Sequence, residues 1–173
     1  VNESFAFNGT VLNGAKELRP RWKRAMDSLE ESMGEGLGQE YVKIAFTPEA
    51  KKRALEMVNN LIVAFRDRIK TRSWMSDTTK AAAIEKLGTI VPKIGYPDSW
   101  RDYSKLTIRR EAPYLANRRA AAEFEFRRNL DKIGKPVDRK EFGMPPQMVN
   151  AYYNPLLNEI AFPAGILQAP FFD

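Results

Sequence analysis

Over the first three quarters of the chain, hydrophobic positions recur at helical spacing. Trp22, Met26, Leu29 and Met33 follow one another at intervals of 4, 3 and 4, which predicts one apolar stripe, and Pro20 stands where a first helical turn tolerates it. The glycines of "GEGLG" (34–38) are expected to break this helix. A second helix opens at "TPEAKKRALEMVNNLIVAFRDRIK", where Thr47 is a good N-cap, Pro48 suits the first helical position and Glu49 favours the positive end of the helix dipole. Leu55, Val58, Ile62, Phe65 and Ile69 mark its buried face. A third helix starts from Ser76 or Asp77 and runs through Ala83 and Leu87 towards Ile90, with Pro92 and "IGYPD" ending it. After the polar connection "SWRDYSKL", a fourth runs from about Pro113 to Ile133. Leu115, Ala122, Phe126, Leu130 and Ile133 supply its apolar face, and Gly134 and Pro136 its stop.

The period then changes to two. Val149, Ala151 and Tyr153 alternate with Asn150 and Tyr152, Asn154-Pro155 opens a turn, and "NEIAF" returns, which predicts a β-hairpin. This last stretch also differs in charge: after Lys140 there is no Lys or Arg, and from Val149 onward only Glu159 and Asp173 are charged. The net charge of +6 therefore lies upstream, where residues 1–148 hold all 28 basic and 20 of the 22 acidic residues.

Composition removes several chemistries. With 173 residues, 43% hydrophobic and 29% charged, the chain can build a core, and it contains neither His nor Cys. That excludes disulfides, thiol nucleophiles, Ser-His triads and zinc sites built on imidazole or thiolate. No apolar run reaches the roughly 20 residues needed to span a bilayer. The opening "VNESFAFNGT" lacks the pattern of a signal peptide, and a chain starting on Val reads as a piece of something longer.

Three features could carry function. Gly34, Gly36 and Gly38 could suggest a phosphate loop, but they follow a helix and lack the Lys-Ser/Thr of a P-loop, so an interhelical loop is the better reading. Basic clusters such as Arg66/Arg68/Lys70/Arg72 and Arg127/Arg128 could bind nucleic acid, making the chain a basic helical module without enzymatic activity. Acidic residues such as Glu56, Asp67 and Glu123 are interspersed, which favours a solvated surface. The third feature is the hairpin, whose edge could pair with an extended peptide. Periodicity by itself favours a hairpin buried in its own sheet.

The run "VNAYYNPLLNEIAFPAGILQAPFFD" resembles the signature preceding the zinc site of neprilysin-like zinc metallopeptidases, the family of endothelin-converting enzymes and bacterial oligopeptidases. "RPRWKRAMD", "YVKIAF", "SWMSDTTKAAAIEKL", "KIGYPDSWRDYSKL" and "GKPVDRKEFGMPPQ" resemble bacterial members in the same order. The resemblance implies a mainly α chain. Residues 1–100 would form the C-terminal part of a helical cap domain, and residues 101–173 the start of a thermolysin-like α+β catalytic domain with a substrate-binding hairpin. It implies that Asn150 and Ala151 hydrogen-bond the substrate backbone and that Ile166 and Phe171 help form the pocket for the residue after the scissile bond. It also implies zinc in the parent enzyme, held by a His-Glu-x-x-His motif lying beyond this stretch, so that this piece alone binds no metal and is inactive. The implied partners are peptide substrates and the rest of the catalytic domain, with self-association of the isolated piece. Set against the disulfide-rich animal members of that family, the absence of cysteines fits a bacterial origin but leaves the redox compartment open; a soluble protein, periplasmic or secreted, is the expectation.

Overall fold

The computed structural model describes residues 2–172. An N-terminal turn α1 (Asn2–Ser4) continues into a π-helical segment (Phe5–Leu12), and neither buries a residue. Four longer helices follow, α2 (Arg21–Ala45), α3 (Pro48–Lys70), α4 (Asp77–Gly88) and α5 (Tyr114–Leu130). Three short strands, β1 (Val91–Gly95), β2 (Tyr152–Asn154) and β3 (Glu159–Pro163), form one sheet in the order β1-β3-β2. The fold is mainly α, as the periodicity and the resemblance imply.

Local signals set the helix starts. Thr47 Oγ1 accepts from the Ala50 N–H at 3.2 Å with Pro48 in the first turn, and Ser76 Oγ accepts from the Thr79 N–H at 3.2 Å. Each cap satisfies a donor that the helix itself leaves unpaired. The hairpin is also present: β2 and β3 are antiparallel, with Tyr152 opposite Ala161 and Asn154 opposite Glu159.

Tertiary contacts overrule the sequence in three places. First, "GEGLG" does not break α2. The helix only kinks at Met33, whose φ of −144° leaves the helical region, and then runs through all three glycines. Those glycines are sites of close approach. A Cβ on Gly38 would lie 2.4 Å from Pro146 Cδ, one on Gly34 would lie 3.3 Å from Pro145 Cβ, and one on Gly36 would touch the Tyr103 ring. The cost of glycine in a helix, about 1 kcal/mol each, is offset by packing of Gly34 and Gly38 against Pro145 and Pro146 and of Gly36 against Tyr103.

Second, Pro92 and "IGYPD" do not simply end α4. The helix stops at Gly88, and residues 91–95 form β1, which pairs in parallel with β3 from Val91↔Glu159 to Gly95↔Pro163. β1 is an edge strand, where a proline costs no essential ladder bond.

Third, two predicted apolar faces are exposed. Trp22, Met26 and Leu29 on α2 are exposed, with Met33 half-buried, and Leu115, Ala122, Phe126 and Leu130 on α5, with Ile133 just after it, are exposed too. The faces that meet are polar. Arg118 of α5 donates to Ser28 O, Ser32 Oγ and Glu31 of α2, and Ala121 and Phe124 supply the apolar part of this side of α5. A second polar cluster ties Arg101, Glu125, Arg128, Lys132 and Glu141 together. Burial pushes the Glu141 carboxyl up, but hydrogen bonds from Lys132 and Arg128 outweigh this and hold it below the ordinary range.

The core lies between the end of α2, the first half of α3, the sheet and the turn after β3. Phe46, Ala54, Val58, Ile94, Ala164 and Leu167 are its buried members. On α3, Val58 and Ile69 are buried and Leu55 and Ile62 half-buried as expected, whereas Phe65 is exposed on the rim of a concavity.

Candidate substrate-binding strand and apolar pocket

β2 is an edge of the sheet, and Asn150 and Ala151 lead directly into it. The hairpin turn is built from asparagines: Asn154 Oδ1 accepts from the Leu156 N–H at 3.0 Å, and Asn158 takes the left-handed conformation (φ 48°). Asn158 Nδ2 then donates to Lys86 O at 2.8 Å and Thr89 Oγ1 at 2.9 Å, which fixes the turn to the end of α4. Asn150 is exposed, and its Oδ1 accepts from the Ala151 N–H at 2.8 Å. The NH2 end of the same amide can donate to a peptide carbonyl.

The stretch after β3 folds back on the core. Ala164 N–H donates to Gly95 O and Gly165 N–H to Pro146 O, each at 2.8 Å. Gly165 has no room for a side chain, since a Cβ would lie 2.5 Å from Gln147 O. Gln168 Nε2 reaches Ala45 O at 2.9 Å and Ala164 O at 3.1 Å, pinning this turn to the end of α2. Ile166 and Phe171 thereby line one side of an open apolar concavity of about 940 Å³, opposite Met57, Leu61 and Phe65 of α3 and above Ile160 and Phe162 of the sheet. Asn150 and Ala151 are not part of this wall. The four residues thus fall into two groups, a polar pair entering the edge strand and an apolar pair in the concavity.

Beneath the hairpin lies a buried polar group that periodicity did not reveal. Lys93 and Glu159 are 5% and 2% exposed, and Lys93 Nζ lies 2.6 Å from Glu159 Oε2. Tyr152 OH donates to Glu159 Oε1 at 2.9 Å and accepts from the Gly143 N–H at 3.2 Å. The signal available in the sequence was the lone acidic residue inside the apolar run 149–172.

Several members of the basic clusters are held by acidic neighbours. Lys51 pairs with Asp98 and lies over the Tyr96 ring, Lys70 pairs with Asp67, Arg118 with Glu31 and Arg127 with Glu123. These pairs match the solvated-surface reading.

Models of peptidase family M13 match residues 1–97 and residues 150–173. The chain belongs to peptidase family M13. It is 38% identical over 171 residues to the neutral endopeptidase of Lactobacillus helveticus, covering 98% of this chain and 26% of that protein. It is 37% identical over 169 residues to human endothelin-converting enzyme 1, covering 94% of this chain and 22% of the enzyme. Among solved structures, it superposes on Mycobacterium tuberculosis zinc metalloprotease ZMP1 in complex with inhibitor with a TM-score of 0.88 and 48% identity, over 99% of this chain and 26% of that one. This M13 chain spans about a quarter of the length of such relatives, and the neprilysin-like resemblance read from its motifs is borne out.

The zinc named in relatives finds no donor set here. The chain has no His or Cys, and no cluster of three or more acidic residues among the described residues could hold a metal ion. Among the described residues, no helix is long and apolar enough to cross a membrane.

Proposed function

We propose that this M13 chain is the substrate-positioning part of a zinc-dependent endopeptidase acting on oligopeptides. The observation that carries the reading is the position of Asn150 and Ala151, exposed or half-exposed at the entrance to the edge strand of a family M13 chain. An extended peptide adding to that edge would gain backbone hydrogen bonds from the strand and side-chain hydrogen bonds from the Asn150 amide. Ile166 and Phe171 would form part of the apolar pocket that receives the side chain after the scissile bond, driven by burial of apolar surface. Residues 1–100 would belong to the helical cap domain and residues 101–173 to the thermolysin-like catalytic domain, with β1 and β3 joining the two stretches in one sheet.

Asn150→Ala in the full-length enzyme tests this reading. Losing one or two substrate hydrogen bonds and stranding a peptide group costs about 1–3 kcal/mol, which lowers kcat/KM by roughly 5- to 150-fold. Zinc content and the thermal midpoint should stay at wild-type values, because an exposed amide supports neither. Normal kcat/KM would refute substrate contact at this strand, and loss of folding would make Asn150 a structural residue.

By itself the chain is expected to retain no stoichiometric zinc through dialysis and to cleave no peptide, because it lacks imidazole and thiolate donors. Its apolar rim, with Phe65, Leu61 and Phe171 all more than half exposed, should also favour self-association. Sedimentation velocity is expected to show species larger than a monomer whose fraction grows with concentration. A strict monomer across the accessible range would contradict this.

A further inference from the structure

β2 is only three residues long and makes three residue pairings with β3. An edge strand this short has few ladder bonds to fix its position, yet it would have to present Asn150 and Ala151 to a peptide within a few tenths of an ångström. Tyr152, the residue after Ala151, is the first residue of the strand. We propose that Tyr152 is a positioning residue for peptide binding, clamping the entrance of the edge strand to a buried Lys93–Glu159 pair so that Asn150 and Ala151 meet the substrate in one register. The inference rests on the reading of this edge as the peptide-binding strand.

The geometry of the sheet supports it. Tyr152 is opposite Ala161 and Lys93 is opposite the same residue from the other side, so both side chains share the face that carries Glu159. The Tyr152 hydroxyl uses both its capacities, donating to Glu159 Oε1 at 2.9 Å and accepting from the Gly143 N–H at 3.2 Å. Gly143 permits this approach, since a Cβ there would lie 3.0 Å from the hydroxyl. Burial and the hydrogen bond to Glu159 push the phenol up to about 12, so it remains a donor at neutral pH. Lys93 in turn donates to Glu141 O, and the Glu141 carboxylate is held by Arg128 and Lys132. One connected set of polar groups therefore runs from the edge strand through all three strands to α5.

A merely structural tyrosine would change stability; a positioning one changes how an extended peptide binds. In the full-length enzyme, Tyr152→Phe is expected to raise KM about 3- to 10-fold for a peptide long enough to lie along the strand, with kcat changed less than about 2-fold. A minimal substrate that does not reach the strand should be unaffected. In Asn150→Ala/Tyr152→Phe the additional effect of Tyr152→Phe should shrink to the part carried by Ala151, because the Asn150 contact that Tyr152 positions is already gone. If Tyr152→Phe fails to fold, Lys93→Met/Glu159→Leu serves instead: it removes the anchor without burying a lone charge and should produce the same rise in KM. An unchanged KM for the long peptide, or an equal loss for both substrates, overturns the proposal. If Asn150→Ala lowers kcat/KM while Tyr152→Phe leaves KM unchanged, positioning fails and the peptide-binding strand stands. If Asn150→Ala is silent, both fail together.

Discussion

Gly95→Ala is expected to destabilise the chain by about 2–5 kcal/mol, from two independent costs. Gly95 ends β1 with φ at +76°, a left-handed conformation that costs a residue with a Cβ about 1–2 kcal/mol. The added methyl would also lie 2.5 Å from Phe46 Cε1, inside contact distance of a ring that is 3% exposed in the centre of the core. Overpacking of this kind costs about 1–3 kcal/mol. Neither neighbour can give way easily: Phe46 packs edge-to-face on Tyr96, and Gly95 O accepts the Ala164 N–H that starts the turn carrying Ile166. Urea unfolding at constant m-value measures the loss as a lower midpoint. A midpoint within error of wild type would show that the β1 terminus relaxes freely, and the tight packing described here would be wrong.

Lys93→Met should cost about 3–5 kcal/mol, the typical penalty for removing one partner of a buried ion pair. The loss comes from what remains. Glu159 is 2% exposed and among the described residues keeps the Tyr152 hydroxyl as its hydrogen-bond partner, and Glu141 O loses the Lys93 ammonium donor. Changing both members, Lys93→Met/Glu159→Leu, should recover most of the stability, because no isolated charge is then buried. The single and double variants compared by urea unfolding separate the two cases. If the single variant is as stable as the double, the pair contributes nothing that its removal exposes.

A reader of the sequence could find whatever is decided by residues a few positions apart. Thr47-Pro48 and Ser76 announce helix starts because the side chain that caps is within a turn of the donor it satisfies. The hairpin is legible because period-two alternation and the Asn154-Pro155 turn are local features. The family could be recognised because its motifs lie in order along the chain, and Asn150, Ala151, Ile166 and Phe171 could be named from the same motif. Their separation into an edge-strand pair and a concavity pair could not.

Contacts between distant segments decided the rest. Gly34, Gly36 and Gly38 resemble a helix break until Pro145, Tyr103 and Pro146 pack where their side chains would be, and contact across that distance outweighs the local preference. Val91–Gly95 has no strand signal of its own beyond a short apolar run. It becomes a strand because β3 offers a parallel partner whose residues lie far along the chain. The stripes on α2 and α5 show that periodicity identifies an apolar face without saying what covers it: in this chain those helices meet through Arg118, Ser28 and Ser32 instead. Glu159 stands out in sequence as a lone charge, but only the sheet reveals that Lys93 and Tyr152 reach it from the strands on either side. The partners that bury this charge arrive from elsewhere in the fold, and that is why the sequence alone determined the capped helices, the hairpin and the family while the tertiary structure decided β1, the course of α2 and how the site is held.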